Sequence, residues 1–300
     1  MKPYILVIGS SNTDMVVKAP HLPAPGETIL GGTFFMNAGG KGANQAVAAA
    51  RLGADVVFIA KIGEDIFGKQ SVKLFEQEGI NTDYIISDPV NPSGVALITV
   101  DDNAENCIVV ASGANAALMP DHLHRAGQTI VSAPLILMQL EIPIETIEYV
   151  ANIAAKNKVK VILNPAPACK LSDELLSKVT IITPNKTEAE MLTGIKITDK
   201  QSTELAAKLL SDKGIETVII TLGEKGALVY TDNIYQWLPA LVVKAIDTTA
   251  AGDVFNGALA VAISEGKNIL AAAAFACSAA ALSVTKMGAQ SSAPYRHEIG

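Results

Sequence analysis

Between Leu135 and Leu222 the sequence alternates short apolar runs with longer helical segments, and no other feature restricts the fold as much. Leu135–Gln139, Lys160–Leu163, Thr180–Thr183 and Thr217–Leu222 have the length and composition of strands. Ile144–Asn157, Thr187–Leu192 and Ser202–Lys213 have helical apolar spacing. Strands alternating with helices predict a parallel sheet covered on both faces, because each parallel crossover needs a helix-sized connection. Earlier in the chain, Tyr4–Ile8 reads as a buried first strand closed by Gly9-Ser10. Val56–Lys61 reads as another strand, and Phe67–Glu78 as a helix stopped by Gly79. Gly39–Arg51 reads as a glycine loop entering a helix, and two alanine-rich helices are expected at Asp253–Ser264 and Ile269–Ser283. The short β-rich pieces Thr13–Val17, Thr28–Phe34, Val95–Val100 and Cys107–Val110 do not fit the parallel sheet. They are expected to form a small appended sheet from about 12–37 and 93–111. The 300 residues contain no linker, repeat or low-complexity tract, so the expected organisation is one α/β domain spanning 1–300.

Open parallel sheets bind ligands outside the carboxyl ends of their strands. The loops after Ile8, Gln139, Leu163, Thr183 and Leu222 are therefore the candidates. A net charge of −7 argues against a broad nucleic-acid surface, so any phosphate must be bound locally. No apolar run reaches membrane-spanning length without charge or proline. Cys107, Cys169 and Cys277 are far apart and form no CxxC, which points to reduced, cytoplasmic thiols without a metal role. The four histidines belong to no nucleophile set.

The stretch Asp247-Thr248-Thr249-Ala250-Ala251-Gly252-Asp253 reads as a loop turning into a helix, with Thr248 or Thr249 suited to cap it. Small residues at 250–252 admit a ligand close to the backbone. A helix start offers free N–H groups and partial positive charge, which together attract an anion. Asp253 would repel that anion, unless it is there to take a proton from an attacking group. Phosphoryl transfer to a hydroxyl needs both parts, although an ordinary helix with an acidic first turn looks the same locally.

The loop after Ile8 lacks G-x-G-x-x-G, which speaks against a dinucleotide fold. Asn12 and Asp14 share one face of an extended segment and suit adjacent hydroxyls, or simply a turn. Gly39-Gly40-Lys41-Gly42-Ala43-Asn44 is not a P-loop, but its glycines allow a small polar ligand to touch backbone, Lys41 and Asn44 together. Glu141 follows a strand and either accepts from a sugar hydroxyl or caps the next helix. Asn185 and Glu188, three apart at a helix start, form a capping box or organise water around Mg²⁺. Gly223-Glu224-Lys225-Gly226 is a glycine turn able to lie along a nucleotide.

In this order, Gly39–Ala46, Leu163–Ala168, Pro184–Glu188, Thr221–Gly226 and Asp247–Ala258 resemble the signatures of the ribokinase family of sugar kinases, over essentially the whole chain. The resemblance implies a Rossmann-like α/β fold with a small β lid, and ATP-dependent phosphorylation of the ribose 5-hydroxyl. It implies that Asp253 is the base and that the N–H groups of Ala250, Ala251, Gly252 and Asp253 hold the transferred phosphoryl. Asn12, Thr13, Asp14, Gly40, Lys41, Gly42, Ala43, Asn44 and Glu141 would surround ribose, with Asp253. Asn185, Thr221, Leu222, Gly223, Glu224, Lys225, Gly226, Gly252, Asp253 and Cys277 would line the ATP site. Asn185 and Glu188 would manage Mg²⁺ through water. Asp247, Thr249, Ser283, Lys286, Gly288 and Ser292 would bind an activating K⁺, mostly through carbonyl oxygens. A cytoplasmic homodimer clasped through the lids is implied, with no nucleic-acid or membrane partner. Two departures stand out: Ala250 replaces a frequent glycine, and Cys277 a frequent histidine. The rival readings are a kinase for 2-deoxyribose or a nucleoside, and a sugar-binding regulator without chemistry. The amide of Asn12 favours ribose and the Asp253 carboxylate favours an enzyme.

Overall fold

A computed structural model describes residues 4–103 and 105–299. Two sheets organise them. The larger has nine strands, beginning with β1 (Tyr4–Ile8). The smaller has four: β2 (Asn12–Lys18), β3 (Thr33–Gly39), β6 (Gly94–Val100) and β7 (Asn106–Ala111). The other strands of the large sheet are β4 (Asp55–Gly63), β5 (Ile85–Asp88), β8 (Leu135–Met138), β9 (Lys160–Leu163), β10 (Ile181–Ile182), β11 (Thr217–Thr221), β12 (Ala227–Thr231) and β13 (Ile234–Leu238). Their spatial order is β13-β12-β11-β10-β9-β8-β1-β4-β5, and every neighbour pair from β11 to β5 is parallel. The expected parallel sheet is therefore present.

Period-two alternation divides its side chains cleanly. Ile5, Val7, Phe58, Leu137 and Ile219 point into one apolar layer with α1 (Lys41–Arg51), α2 (Ile66–Gln77), α8 (Ala251–Ser264) and α9 (Ile269–Ser283). Leu6, Ile8, Ile136, Met138 and Ile220 point into the other. That second layer holds α3 (Gly127–Ser132), α4 (Ile144–Lys156), α5 (Asp173–Leu176), α6 (Lys186–Thr193) and α7 (Lys200–Ser211). Short apolar runs with no polar face, such as Ile5–Ile8, are what a strand buried on both sides requires.

The order in which strands are added reverses at β1, which lies between β8 and β4. This is the switch point where two adjacent loops diverge and leave a crevice. All of β1, β8, β9, β10 and β11 end on the same side, so their following loops form one rim.

Several elements depart from expectation: β5, α3 and α5 had no counterpart in the sequence reading, and β3, β12 and β13 differ more instructively. The strand expected at Thr28–Phe34 begins at Thr33, after Gly31 and Gly32 with φ of 99° and 102°, and runs on to Gly39. Pairing with β2, from Lys18↔Thr33 to Asn12↔Gly39, draws Gly39 out of the supposed loop and into the sheet. The small sheet accordingly spans 12–18, 33–39, 94–100 and 106–111, with no strand in 19–32. Beyond β11 the hairpin β12–β13 adds antiparallel strands that the alternation did not reveal. Its turn, Asp232-Asn233, has both residues at positive φ (51° and 62°), the conformation of a tight two-residue hairpin.

Candidate active site

The amino terminus of α1 depends on Gly40. Its φ is 87°, and a side chain there would lie 2.7 Å from the Asn12 backbone nitrogen. With that close approach, Ala43 N–H donates to the Ser10 carbonyl at 2.8 Å, and α1 starts against the end of β1. Glu141 then closes the crevice from the β8 side. Its Oε2 accepts from Ser10 Oγ at 2.6 Å and from Lys41 N–H at 3.0 Å, while the Lys41 ammonium lies 4.0 Å from Oε1. Glu141 thus faces the glycine loop and does not cap α4, whose N-cap is Pro143.

Helix α8 packs directly on α1. Gly257 permits this, because a side chain there would sit 2.8 Å from both Ala48 Cβ and the Gln45 carbonyl. The close crossing brings Asp253, in the first turn of α8, against α1. Asn44 Nδ2 donates to Asp253 Oδ2 at 2.9 Å and Gln45 Nε2 donates to Oδ1 at 2.9 Å. Asp253 is only 5% exposed. Burial pushes its carboxyl upward, and Lys41 and the two amides only partly pull it back.

The start of α8 differs from the expected threonine cap. Ala250 is the N-cap, in the left-handed region at φ 58°, and neither Thr248 nor Thr249 caps the helix. The Thr249 N–H turns instead to Asp247 Oδ1, at 2.9 Å. Ala251 N–H reaches the Thr248 carbonyl at 3.3 Å, whereas those of Ala250, Gly252 and Asp253 have no protein acceptor among the described residues. These amides border a cavity of about 180 Å³ whose walls include Lys41, Asn164, Thr183, Asn185, Glu188, Thr221, Thr248 and Asn256. Free amides, an ammonium and a buried carboxylate at one point can bind a transferring phosphoryl and receive a proton beside it.

Charge in the site is lopsided. Burial, then Glu141 and Asp253, push Asp14 up to about 6, with Lys41 opposing. Glu188 is likewise raised by burial, against the Asn185 N–H and Lys41. Lys41 loses from burial but gains more from Asp253, Glu141, Glu188 and Asp14, and stays firmly cationic. Four carboxylates thus share the field of one ammonium.

The other expected residues fall into place unevenly. Asn12 Oδ1 accepts from Asn115 Nδ2 at 2.7 Å, which leaves its NH₂ as the end free to donate. Asp14 lies beside Gly39, on the face of the small sheet turned to the crevice, while Thr13 points to the opposite face. Gly42 and Ala43 are buried against Ser10 and serve the packing of α1. Asn185 and Glu188 form a complete capping box on α6, with Asn185 N–H donating at 2.8 Å and Glu188 N–H at 2.9 Å, and both also line the cavity. Thr221 lines it too, but the turn from Leu222 to Gly226 lies outside it, with Gly223, Glu224 and Lys225 exposed, Leu222 half-buried against the second apolar layer and Gly226 buried. Cys277 is half-buried on α9, packed against the apolar layer, and burial pushes its thiol up to about 11.

Asp247 joins two distant segments. Its Oδ2 accepts from Gly288 N–H at 2.8 Å, and its own N–H reaches the Val284 carbonyl at 3.2 Å. Burial opposes its charge, but the Thr249 and Gly288 hydrogen bonds outweigh this and hold it below the usual carboxylate range. The side chains of Ser283 and Ser292 donate to nearby carbonyls, and Lys286 pairs with Glu298 at 2.6 Å. What that segment can offer a cation is therefore backbone oxygen.

Several site residues escaped the sequence reading: Ser10, Gln45, Asn115, Gln139, Asn164, Thr183 and Asn256. Thr183 Oγ1 donates to Asn256 Oδ1 at 2.6 Å, and Asn256 Nδ2 to the Gly252 carbonyl at 2.8 Å, fixing the turn that starts α8. A usable signal existed. Gln139, Asn164 and Thr183 each end an apolar strand on the same rim, and a buried polar residue there needs a partner.

The family described as pfkB family carbohydrate kinase matches residues 2–296. This chain belongs to that family. The kinase is 51% identical over 298 residues to a ribokinase of Haemophilus influenzae, covering 99% of this chain and 97% of that one. It is 40% identical over 291 residues to a deoxyribokinase of Salmonella typhi, covering 97% and 95%. A solved structure of Arabidopsis thaliana ribokinase complexed with ribose and ATP matches with a TM-score of 0.94 at 33% identity, covering 100% of this chain and 98% of that one. The nine-stranded sheet with a small separate sheet is thus the ribokinase-type fold. No helix among the described residues is long and apolar enough to cross a membrane.

Proposed function

We propose that this kinase transfers the γ-phosphoryl of ATP to the 5-hydroxyl of D-ribose, giving ribose 5-phosphate and ADP. The observation that carries the reading is the Asp253 carboxylate, held by Asn44 and Gln45 next to the free amides of the α8 turn. Asn44 also keeps a buried oxygen, Oδ1, without any protein donor. A sugar hydroxyl would satisfy it. With ribose seated among Asn12, Asp14, Lys41, Asn44 and Glu141, Asp253 takes the proton of the attacking hydroxyl. The amides of Ala250, Gly252 and Asp253, together with Lys41, receive the charge that gathers on the phosphoryl group. The β–γ bond breaks as the new ester bond forms, and ADP leaves with the charge.

Four carboxylates beside a triphosphate would repel it, which supports a divalent cation in the complete site. No cluster of three or more His, Cys, Asp or Glu side chains that could hold a metal directly occurs among the described residues. Mg²⁺ held through water by Asn185 and Glu188 fits that chemistry, since Mg²⁺ keeps its waters, and it would neutralise phosphate charge. Asp247, anchored to Thr249 and Gly288, would hold K⁺ with nearby carbonyl oxygens and steady the anion-binding turn. The small sheet supports a homodimer. Its outer face carries Met15, Val17, Phe34, Met36, Leu97 and Val109 in cross-strand register. Phe34, Met36, Leu97 and Val109 are 51–62% exposed, an apolar patch that suits a second copy.

The second reading is transfer to 2-deoxyribose. The free NH₂ of Asn12 favours ribose, because it offers a donor to an additional hydroxyl. ADP release measured over ribose, 2-deoxyribose, fructose and adenosine tests the proposal. Ribose should give the highest kcat/KM. Turnover confined to another acceptor would refute it.

A further inference from the structure

Gln45 and Gln139 are both fully buried and neither lines the active-site cavity, yet they connect to the base. Gln45 Oε1 accepts from Gln139 Nε2 at 2.6 Å. Its Nε2 donates to Asp253 Oδ1 at 2.9 Å and to Asn164 Oδ1 at 3.1 Å. Both N–H groups of this carboxamide are therefore used, and its oxygen holds one donor, which assigns its orientation. Turned over, its oxygen would face two oxygens and its nitrogen would face the Gln139 nitrogen, so three contacts would fail together. Asn164 is fixed in its turn, because its Nδ2 donates to the Thr183 carbonyl at 3.3 Å.

Gln139 itself is not fully satisfied. Its Oε1 has no donor and occupies the space where a side chain at Gly9 would lie. A buried acceptor without a partner is unfavourable, and an apolar side chain at 139 would avoid it. What the glutamine adds is the N–H that fixes Gln45.

We propose that Gln45 is a positioning residue for phosphoryl transfer, locked by Gln139, and that together they keep the Asp253 carboxylate aimed and ready to accept a proton. The inference rests on the reading of Asp253 as the base. The charged and titratable groups facing Asp253 are Lys41 on α1, Glu141 after β8, Asp14 on β2 and Glu188 on α6. Lys41 supplies positive charge, but bound phosphates draw on that charge too. A neutral N–H donor is not drawn away, and it stabilises the carboxylate in the free and nucleotide-bound enzyme alike. Asn44 is exchangeable in this respect, since it also faces the sugar side. Gln45 is bound to the protein on all sides.

The test uses the whole enzyme, with kcat and KM measured for ribose and ATP from about pH 5 to about pH 9. Gln45→Met keeps the length and removes both donors. Gln139→Met leaves Gln45 in place but free to turn. Gln45→Met should lower kcat at neutral pH by about 10- to 100-fold and move the acid limb of kcat upward by about one pH unit. KM for ATP should change by less than about threefold, because Gln45 does not touch the cavity. Gln139→Met should move the same limb in the same direction by a smaller amount. A purely structural role would reduce the yield or melting temperature of folded enzyme and leave the limb in place. An acid limb unmoved in the folded variants overturns the proposal, whatever happens to kcat. A parent enzyme inactive with ribose and ATP, or an Asp253→Asn variant with near-normal kcat, would instead remove the reading of Asp253. Both are measured before either glutamine is changed.

Discussion

Asp253→Asn separates the proton transfer from everything else the aspartate does. The substitution keeps the size of the side chain and one acceptor oxygen. In the parent, Oδ1 and Oδ2 each accept one amide N–H at 2.9 Å. Asparagine can satisfy Gln45 or Asn44 but not both, and its own NH₂ then meets a donor. Such a loss costs about 1–3 kcal/mol. Removing a buried charge works the other way, since burial already pushes the Asp253 carboxyl upward. The two effects oppose each other, so the melting temperature should stay within about 5 °C of the parent. Catalysis has no such compensation. A positioned base contributes roughly 10²–10⁴-fold, equivalent to about 3–5 kcal/mol of barrier. We expect kcat to fall by at least about 10²-fold, with ribose affinity largely kept. ATP affinity should hold or tighten, because a negative charge beside the phosphates has gone. A coupled ADP-release assay gives kcat, and calorimetric titration gives both affinities. A folded variant with near-normal kcat would reduce Asp253 to a helix residue and refute the mechanism.

Asp14, pushed up to about 6, takes its proton where an ordinary carboxylate stays ionised; ribose KM should therefore rise as pH falls through about 6. Asp14→Asn should give a weak ribose KM that no longer follows pH, and a KM profile unchanged by that substitution would contradict the assignment. Ala250→Gly removes the left-handed strain of about 1 kcal/mol at φ 58°, offset by greater unfolded-state freedom. Thermal unfolding should show it to be neutral or slightly stabilising, not the loss usual for alanine to glycine in a helix. Replacing K⁺ by tetramethylammonium should lower the rate, and Asp247→Ala should erase the difference; equal rates of the parent in the two buffers would count against a cation there. Leu97→Asp places a charge in the exposed apolar face of the small sheet, and sedimentation should shift from dimer to monomer. A parent that sediments as a monomer at all working concentrations would exclude that interface.

Local pattern determined much of this protein. Runs such as Ile5–Ile8 are apolar on both faces, so they specify a two-sided sheet before any contact is known. The glycine loop at Lys41, the small-residue turn before Asp253 and the Asn185–Glu188 pair were legible because short-range backbone chemistry needs those residue types at that spacing. Where local pattern was ambiguous it misled. Thr248 and Thr249 have the chemistry of a cap, but Asp247 engages the Thr249 amide and also binds Gly288, 41 residues on from itself, and Ala250 is the N-cap instead. The strand β3 was displaced by its long register with β2, which two glycines in sequence could not announce.

Only the tertiary structure decided how Asp253 is held. Gln45 and Gln139 sit in stretches that read as ordinary alanine-rich helix and apolar strand end. Their partners lie 208 and 94 residues away in the chain. No periodicity encodes such pairings: the first depends on how closely α8 can lie on α1, which Gly257 and Ala48 set, and the second on where α1 lies over the end of β8. The sequence by itself determined which chemical groups line the rim of the sheet. The crossing of two helices decided that one carboxylate among them would be buried, doubly hydrogen-bonded and set on the same cavity as the free amides of its own helix.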